Sequence, residues 1–253
     1  MKKFAIAVAA TVFTASAATA ADVDICVEGA YPPFSETTES GDLVGFDIDI
    51  ANALCEQMGK SCELVKTDWD GIIPALLEDK CDAIIASMSI TEERKKQIDF
   101  TNKYYNTPAK FIAAADAGLT DTPEGMAGKV VGVQRGTTHH DFMEGVFPDV
   151  ELKLYGTQDE VYLDLQAGRI DAAMADSVAM NDGFLKTENG EGFAFFGGDY
   201  DVPEYHGEGV GIGVRKEDTA LKEEFNAAID AIRASGKYEE IQNEYFDFNV
   251  YGS

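Results

Sequence analysis

Arg94 and the hydroxyl side chains before it form a group of residues that could bind an anion. Ser87, Ser89 and Thr91 precede this arginine in the stretch SMSITEER. A guanidinium presents a planar fork of N–H donors that matches the two oxygens of a carboxylate. The competing interpretation is a solvated helix face on which Arg94 pairs with one of the two glutamates before it. The other residues that the fold places near Arg94 decide between an anion site and a surface ion pair.

A second element suited to a carboxylate is the stretch VGVQRGTTHH, residues 131–140. Its apolar beginning predicts a strand, and Gly136 permits a turn into a helix that starts at the two threonines. Backbone N–H groups near Thr137 and Thr138 would then point out of the helix start, where they attract negative charge. Arg94 and this helix start together would clamp one carboxylate from opposite sides.

Asp176 supplies the complementary charge for an ammonium group. The segments KCDAIIAS and RIDAAMAD resemble each other, and aligning Asp82 with Asp171 places Ser87 and Asp176 at equivalent positions. Both positions follow a predicted strand, at the edge where ligands bind in open α/β sheets. A carboxylate clamp combined with an acidic partner for an ammonium group is the expected receptor for an α-amino acid.

Three further residues would enclose the side chain of that amino acid. Glu28 follows the first predicted strand, and Tyr31 lies in the proline-stiffened loop just after it. Trp69, the only tryptophan, follows the second strand. Two aromatic walls and a carboxylate would accept an apolar stem that ends in a positive charge.

Alternating strand and helix patterns position these residues. The stretches VDICVEG, CELVKT and CDAIIAS predict strands, with helices at GFDIDIANALCEQMG and GIIPALLED between them. The pattern restarts with strands at KVVGV, ELKLY and IDAAMA and helices at GTTHHDFMEGVF and DEVYLDLQAG. Such alternation predicts parallel βαβ units. We therefore predict two α/β lobes, each a mainly parallel sheet flanked by helices.

The tail after the second lobe predicts an amphipathic helix that ends at Gly236 and covers the first lobe. The chain would then cross between the lobes twice, and two crossing strands make a hinge. Lobe 1 is predicted at 21–107 and 203–253, lobe 2 at 108–202, and the crossings near 106–109 and 198–203.

The N-terminus and the net charge restrict the location and the partners. Residues 1–20, MKKFAIAVAATVFTASAATA, predict a cleaved secretory signal, so we expect an exported, periplasmic protein. No later stretch approaches the roughly 20 apolar residues of a membrane span. The formal net charge is −26 at pH 7, which disfavours nucleic acid as a partner and attracts a cationic small molecule.

The four cysteines, Cys26, Cys55, Cys62 and Cys81, all lie in the first third of the chain. Export favours disulfides over a catalytic thiol. Four cysteines allow three pairings. Cys55 and Cys62 are close together across the end of a helix and the start of the next strand, so we pair them, which leaves Cys26 with Cys81.

A resemblance to a known family rests on a series of segments in order: YPPFS, GFDIDIANALC, WDGIIPAL, CDAIIASMSITEER, VGVQRGTT, GRIDAAMAD and YFDFNVYG. Nearly the whole mature chain resembles the periplasmic amino-acid-binding proteins of ABC importers in solute-binding protein family 3. The resemblance is to the branch that binds lysine, arginine, ornithine and histidine. It implies a type II periplasmic binding protein fold, and a monomer that delivers a cationic amino acid to a membrane permease without cofactor or metal.

The resemblance also implies roles for individual residues. Arg94 and Thr138 would hold the ligand carboxylate, while Ser87, Ser89 and Asp176 would hold the α-ammonium group. Tyr31 and Trp69 would sandwich the aliphatic stem, and Glu28 occupies the position where this branch usually carries aspartate. The complete predicted ligand-binding set is Glu28, Tyr31, Trp69, Ser87, Met88, Ser89, Arg94, Gln134, Thr137, Thr138, His139 and Asp176.

Departures from the usual pattern leave the ligand open. Trp69 replaces a usual phenylalanine, Gln134 a usual leucine and His139 a usual glutamine. Lysine, arginine, ornithine, histidine and a larger opine-like or other polar derivative all stay possible. An exported dehydratase-like enzyme on the same fold is the alternative function. It would need an acid or base aimed at a reacting carbon, whereas each cleft candidate here already has a binding role.

Two other signals predict no site. His139 and His140 are adjacent on a helix, so their side chains point about 100° apart and make a poor metal pair. The glycines of GEGVGIGVR alternate with a period of two, which is typical of a strand face and does not match a dinucleotide-binding loop.

Overall fold

The structure is a computed structural model that describes residues 21–252. It contains two five-stranded sheets, each flanked by helices, and one small three-stranded sheet. The predicted signal peptide at 1–20 lies outside the described residues. Within 21–252, none of the helices has both the length and the apolar character that crossing a membrane requires.

The elements are as follows. The strands are β1 (Val23–Val27), β2 (Ala30–Tyr31), β3 (Ser35–Thr37), β4 (Leu43–Val44), β5 (Cys62–Lys66), β6 (Ala83–Ile84), β7 (Asp99–Tyr105), β8 (Ala109–Ala114), β9 (Val130–Gln134), β10 (Glu151–Tyr155), β11 (Ala172–Asp176), β12 (Phe193–Tyr200) and β13 (Val210–Val214). The α-helices are α1 (Phe46–Met58), α2 (Ile72–Leu77), α3 (Glu92–Lys95), α4 (Pro123–Met126), α5 (Thr138–Val146), α6 (Gln158–Gln166), α7 (Ser177–Met180), α8 (Pro203–His206), α9 (Thr219–Ser235) and α10 (Lys237–Tyr245). Short 3-10 turns lie at Trp69–Gly71 and Glu188–Gly190, and a π turn lies at Asn181–Leu185.

In each large sheet four strands run in one direction and one strand runs opposite to them. The first has the order β5-β1-β6-β13-β7, and the second has the order β10-β9-β11-β8-β12. Strands β5, β1 and β6 are parallel, as are β10, β9 and β11, which confirms the predicted βαβ units. Strand β13 runs antiparallel to β6 and β7, and β8 runs antiparallel to β11 and β12. Each crossing between the sheets leads into the reversed strand of the sheet that it enters, β8 or β13.

The chain passes between the two sheets twice. Strand β7 ends in the first sheet and β8 begins in the second; β12 ends in the second sheet and β13 begins in the first. Helix α8 packs on α5 of the second sheet, with the Tyr205 and His206 rings 5.5 and 5.1 Å from the ring of Phe142. We therefore place 203–206 with the second lobe, although the sequence prediction assigned them to the first, and put the return crossing at 207–209.

The tail helix covers the first lobe through its apolar face. Phe225, Ile229 and Ile232 of α9 are buried in the same core as the inner face of α1. Gly236 ends α9 in the left-handed conformation, with φ 84°, a backbone geometry that favours glycine. Helix α10 begins directly after it and packs on α1 and α9.

Both predicted disulfides are present. Cys26 on β1 is bonded to Cys81 just before the neighbouring strand β6, with 5.7 Å between the Cα atoms. Cys55 near the end of α1 is bonded to Cys62 at the start of β5, with 6.2 Å between the Cα atoms. Both Cα separations lie in the usual range for disulfides. The first bridge therefore ties the chain just before β6 to β1, and the second ties the end of α1 to the start of β5.

Candidate functional site

A cavity of about 590 Å³ lies between the two lobes. All of the predicted ligand-binding residues except Met88 line it. The lining residues are Glu28, Tyr31, Trp69, Ala86, Ser87, Ser89, Arg94, Tyr105, Asn106, Thr107, Gln134, Thr137, Thr138, His139, Asp176, His206 and Val210.

Met88 does not reach the cavity, so its place in the predicted set is wrong. Its side chain is fully buried in the lobe 1 core with Ile90 and Ile98. Ser87 has φ 52°, so the chain bends there, and Ser87 and Ser89 face the ligand cavity while Met88 faces the core.

Arg94 lies in the cleft and not on a solvated helix face. Thr91 caps the N-terminus of α3, with its Oγ1 accepting the Arg94 backbone N–H at 3.2 Å. The glutamates before Arg94 pair with the lysines after it, Glu92 with Lys95 at 2.9 Å and Glu93 with Lys96. The surface-pair interpretation of Arg94 is therefore wrong.

The Arg94 guanidinium reaches from lobe 1 to lobe 2. Its Nη1 donates to the Ser89 carbonyl at 2.9 Å, and its Nη2 donates to the Gly136 carbonyl at 3.3 Å. The guanidinium also lies 5.2 Å from the centre of the Trp69 ring. Burial lowers the pKa of Arg94 to about 10, opposed by the charge of Asp141, so the group stays a cation at neutral pH. Among the residues that the structure describes, no acidic side chain forms a hydrogen bond or an ion pair with this guanidinium.

The start of α5 faces this cation. Gly136 has φ 68°, which turns the chain from β9 into the helix. Thr137 is the N-cap: its Oγ1 accepts the His140 backbone N–H at 3.3 Å and donates to the Gln134 carbonyl at 2.8 Å. Thr138 is the first helical residue, so its backbone N–H has no acceptor within the helix. The predicted pairing of a guanidinium with a helix start is present.

Asp176 ends β11 and caps α7. Its Oδ1 accepts the backbone N–H groups of Val178 and Ala179 at 2.8 and 3.1 Å, and its Oδ2 accepts the Thr107 hydroxyl. Its backbone N–H donates to the Tyr31 hydroxyl of lobe 1 at 3.2 Å. Burial raises the pKa of Asp176 to about 6, although the hydrogen bonds that it accepts act to lower the pKa. A cation beside the carboxylate would favour its charged form.

Ser87 is tied to a residue that the sequence reasoning missed. Its backbone N–H and its hydroxyl both donate to Asp47 Oδ2, at 2.8 and 3.0 Å, while the Tyr104 hydroxyl donates to Oδ1 at 2.8 Å. Asp47 is fully buried, and burial raises its pKa to about 7. The hydroxyl proton of Ser87 is therefore used within lobe 1, whereas its oxygen can still accept from a ligand. The sequence signal that could have identified Asp47 is that an aspartate occupies the buried face of α1.

Glu28 lies at another end of the cavity and contacts the opposite lobe. Gln134 Nε2 donates to Glu28 Oε1 at 2.6 Å and to the Gly156 carbonyl at 3.1 Å. Both side chains are buried. Burial is the main cause that raises the pKa of Glu28 to about 7; the Gln134 bond opposes it, and the nearby Asp159, Asp68 and Asp70 charges add to it. A bound cation would favour the carboxylate form.

These carboxyl groups predict that the ligand-free protein loses stability from about pH 5 to about pH 8. The folded-state pKa values of Glu28, Asp47 and Asp176 lie above ordinary carboxyl values. In this range these three carboxyl groups bind more protons in the folded protein than in the unfolded chain. The buried His139 and His206, whose pKa values are lowered, bind fewer and oppose the effect below about pH 6.5, so the free energy of unfolding should fall most clearly above that pH. Melting temperatures in calorimetry check this, and Glu28→Gln should give a shallower slope. A melting temperature that rises across the range would contradict it.

The two lobes are closed over the cavity. Three bonds of the cavity walls join them, from Arg94 to Gly136, from Gln134 to Glu28 and from Asp176 to Tyr31. At the rim, Arg135 of lobe 2 pairs with Asp70 of lobe 1 at 2.5 Å. Opening the cleft would break all four contacts, so these contacts favour the closed form.

Comparisons with known proteins agree with this architecture. The chain is 52% identical to the L-arginine-binding protein of Pseudomonas aeruginosa, with both chains covered in full. It is 42% identical to the lysine/arginine/ornithine-binding periplasmic protein of Escherichia coli, over 91% of this chain and 89% of that one. A Salmonella typhimurium periplasmic binding protein described for its high arginine specificity superposes with a TM-score of 0.82, at 32% identity, over 88% of this chain and 98% of that one.

The family model for bacterial extracellular solute-binding proteins, family 3, matches residues 23–248. This match spans both lobes, both crossings and the tail helices α9 and α10. The chain belongs to family 3 of the bacterial extracellular solute-binding proteins.

Proposed function

We propose that this protein is a periplasmic receptor that binds a basic L-amino acid between its lobes and presents it to the permease of an ABC importer. The observation that carries the proposal is one closed cavity with three charged groups. Arg94 and the start of α5 suit a carboxylate, Asp176 suits an α-ammonium group, and Glu28 suits a cationic side-chain tip. The names of the similar proteins support a basic amino acid, with arginine first.

The proposed binding divides the ligand between the lobes. Arg94 of lobe 1 and the Thr138 N–H of lobe 2 would hold the carboxylate, and Asp176 of lobe 2 would hold the ammonium group. Tyr31 and Trp69 would flank the stem, which leads to Glu28 in lobe 1. Each lobe thus supplies only part of the site, and ligand favours the closed form because it binds that form better. A closed monomer is the proposed form that the permease meets.

The alternative is an exported dehydratase-like enzyme on the same fold. Glu28 and Asp176, each with a raised pKa, could in principle transfer a proton. Both carboxylates are already hydrogen-bonded, Glu28 to Gln134 and Asp176 to Thr107 and the start of α7. These bonds suit fixed binding groups. Recovery of an unchanged amino acid from the complex supports the receptor, and turnover of a cyclic amino-acid precursor would support the enzyme.

A thermal-shift panel on ligand-free protein tests the proposed function. Binding to the native state alone raises its melting temperature, by an amount that grows with ligand concentration over Kd. We expect arginine, lysine, ornithine or histidine to raise the melting temperature most, and neutral and acidic amino acids to raise it least. A larger shift with an opine-like conjugate would identify that class as the ligand, and no shift with any amino acid would contradict the proposal.

Closure predicts a change of shape in solution. Ligand should lower the radius of gyration measured by small-angle X-ray scattering, because it joins Arg94 to Asp176 across the cleft. Arg94→Ala is the matched control, since it leaves the hinge segments intact and should show no change when the same ligand is added. Identical scattering profiles of the original protein with and without saturating ligand would contradict the expected closure.

A further inference from the structure

His206 is a buried cavity residue for which the sequence predicts no role. It ends α8, is 8% exposed and lines the same cavity as Arg94. Its Nδ1 accepts the Val202 backbone N–H at 3.1 Å. Burial lowers the pKa of the His206 imidazole, opposed by the charge of Asp201, so the ring is neutral at neutral pH. A neutral imidazole carries one N–H, which must therefore lie on Nε2.

That N–H group is buried without a partner. Among residues 21–252, no acceptor bonds to His206 Nε2, and none of them bonds to Nδ1 of His139 either. The two rings lie 5.8 Å apart between centroids, and both line the cavity. A buried donor without an acceptor is rare in native proteins because it has lost its water without replacing it. An orphan donor on the wall of a ligand cavity indicates that a ligand atom accepts from it.

The residues around His206 indicate which group of the ligand would accept this hydrogen bond. The positive charge of Arg94 is one of the causes that lower the pKa of His139, after burial and the neighbouring His206. The Arg94 guanidinium bonds the Ser89 carbonyl, and the next carbonyl, that of Ile90, accepts the backbone N–H of Glu208 at 3.1 Å. The chain just after His206 thus pairs with the same segment, Ser89 to Ile90, whose Ser89 carbonyl accepts from the Arg94 guanidinium.

We propose that His206 is a further ligand-binding residue, whose Nε2–H donates a hydrogen bond to the α-carboxylate that Arg94 holds. This inference rests on the proposed function. The carboxylate would then accept from a guanidinium, from the Thr138 N–H and from a neutral imidazole. The imidazole adds a donor without a second positive charge. His139 lies beside it and completes the wall.

Substitutions that keep or remove this donor test the proposal by calorimetric titration with arginine and lysine. His206→Phe keeps a ring that can pack on Phe142 but has no N–H; we expect about tenfold weaker binding of both ligands. His206→Gln retains a donor near the Nε2 position and should stay within about threefold of the original protein. Tyr205→Phe removes a hydroxyl from the same helix outside the cavity, and should leave affinity unchanged.

The melting temperature of the ligand-free variants separates a ligand contact from a structural role. His206→Phe also removes the acceptor of the Val202 backbone N–H, so the melting temperature of the ligand-free variant should fall by no more than the loss of that one partly buried hydrogen bond accounts for. His206→Leu is the second donor-free variant, with the same expectation, if His206→Phe does not fold. Affinity within about twofold of the original in the donor-free variants, or an equal loss in His206→Gln, would overturn the inference. No binding of any basic amino acid by the original protein would overturn the proposed function instead.

Discussion

Arg94→Ala should abolish measurable binding of every amino-acid ligand, with a loss on the order of 2–5 kcal/mol. The guanidinium is buried and donates to the Ser89 and Gly136 carbonyls, and no acidic side chain within residues 21–252 pairs with it, so a ligand carboxylate is its expected charge partner. The loss should be the same for arginine, lysine and glutamine because all three carry the same carboxylate. Isothermal titration calorimetry measures it.

Two further variants make the Arg94 result specific. Arg94→Lys keeps the positive charge but loses the planar fork, so we expect intermediate affinity. Lys95→Ala removes the neighbouring cation, which pairs with Glu92 on the surface, and should leave affinity unchanged. Near-normal binding by Arg94→Ala would mean that the carboxylate lies elsewhere in the cavity.

Glu28→Gln should weaken cationic ligands selectively, by roughly 1.5–3 kcal/mol, the scale of a hydrogen bond to a charged group. Glu28 is buried and accepts a hydrogen bond from the neutral Gln134 amide, so a distal cation of the ligand is its expected charge partner. Lysine, arginine and ornithine should all lose affinity, whereas glutamine should lose little. A titration of both proteins with these four ligands measures the difference.

The matched control for Glu28 is Glu36→Gln. Glu36 is an exposed acid on β3 outside the cavity, so removing it tests the general effect of one less negative charge. An equal loss for glutamine and lysine in Glu28→Gln would show that Glu28 does not recognise side-chain charge. The same loss in Glu36→Gln would attribute the effect to the acidity of the whole chain.

The parts of the site that the sequence predicts are those that local patterns position. Arg94 follows a good N-cap, and Thr138 follows a glycine turn at a helix start. Asp176 lies at the end of an apolar strand. In an α/β fold each of these local features has a fixed place relative to the sheet edge. The position of these three residues on the cavity wall could therefore be predicted from the sequence.

The remaining parts depend on packing between distant segments. Asp47 bonds Ser87 across 40 positions, and His206 reaches the cavity only because α8 packs on α5. The strand pattern of β13 is the same whether its neighbours are parallel or antiparallel, so its direction was not predictable from periodicity. Met88 was included beside two serines that line the cavity, although its own side chain lies in the lobe 1 core.

The most direct test of the central claim is a calorimetric comparison of lysine with norleucine, which has the same backbone and stem but no distal ammonium group. A receptor for basic amino acids should bind lysine at least about tenfold more tightly, because the distal cation meets the buried Glu28 carboxylate. Arginine and ornithine should share the advantage of lysine over norleucine. Equal affinities for lysine and norleucine, or no binding of any cationic amino acid, would contradict the account.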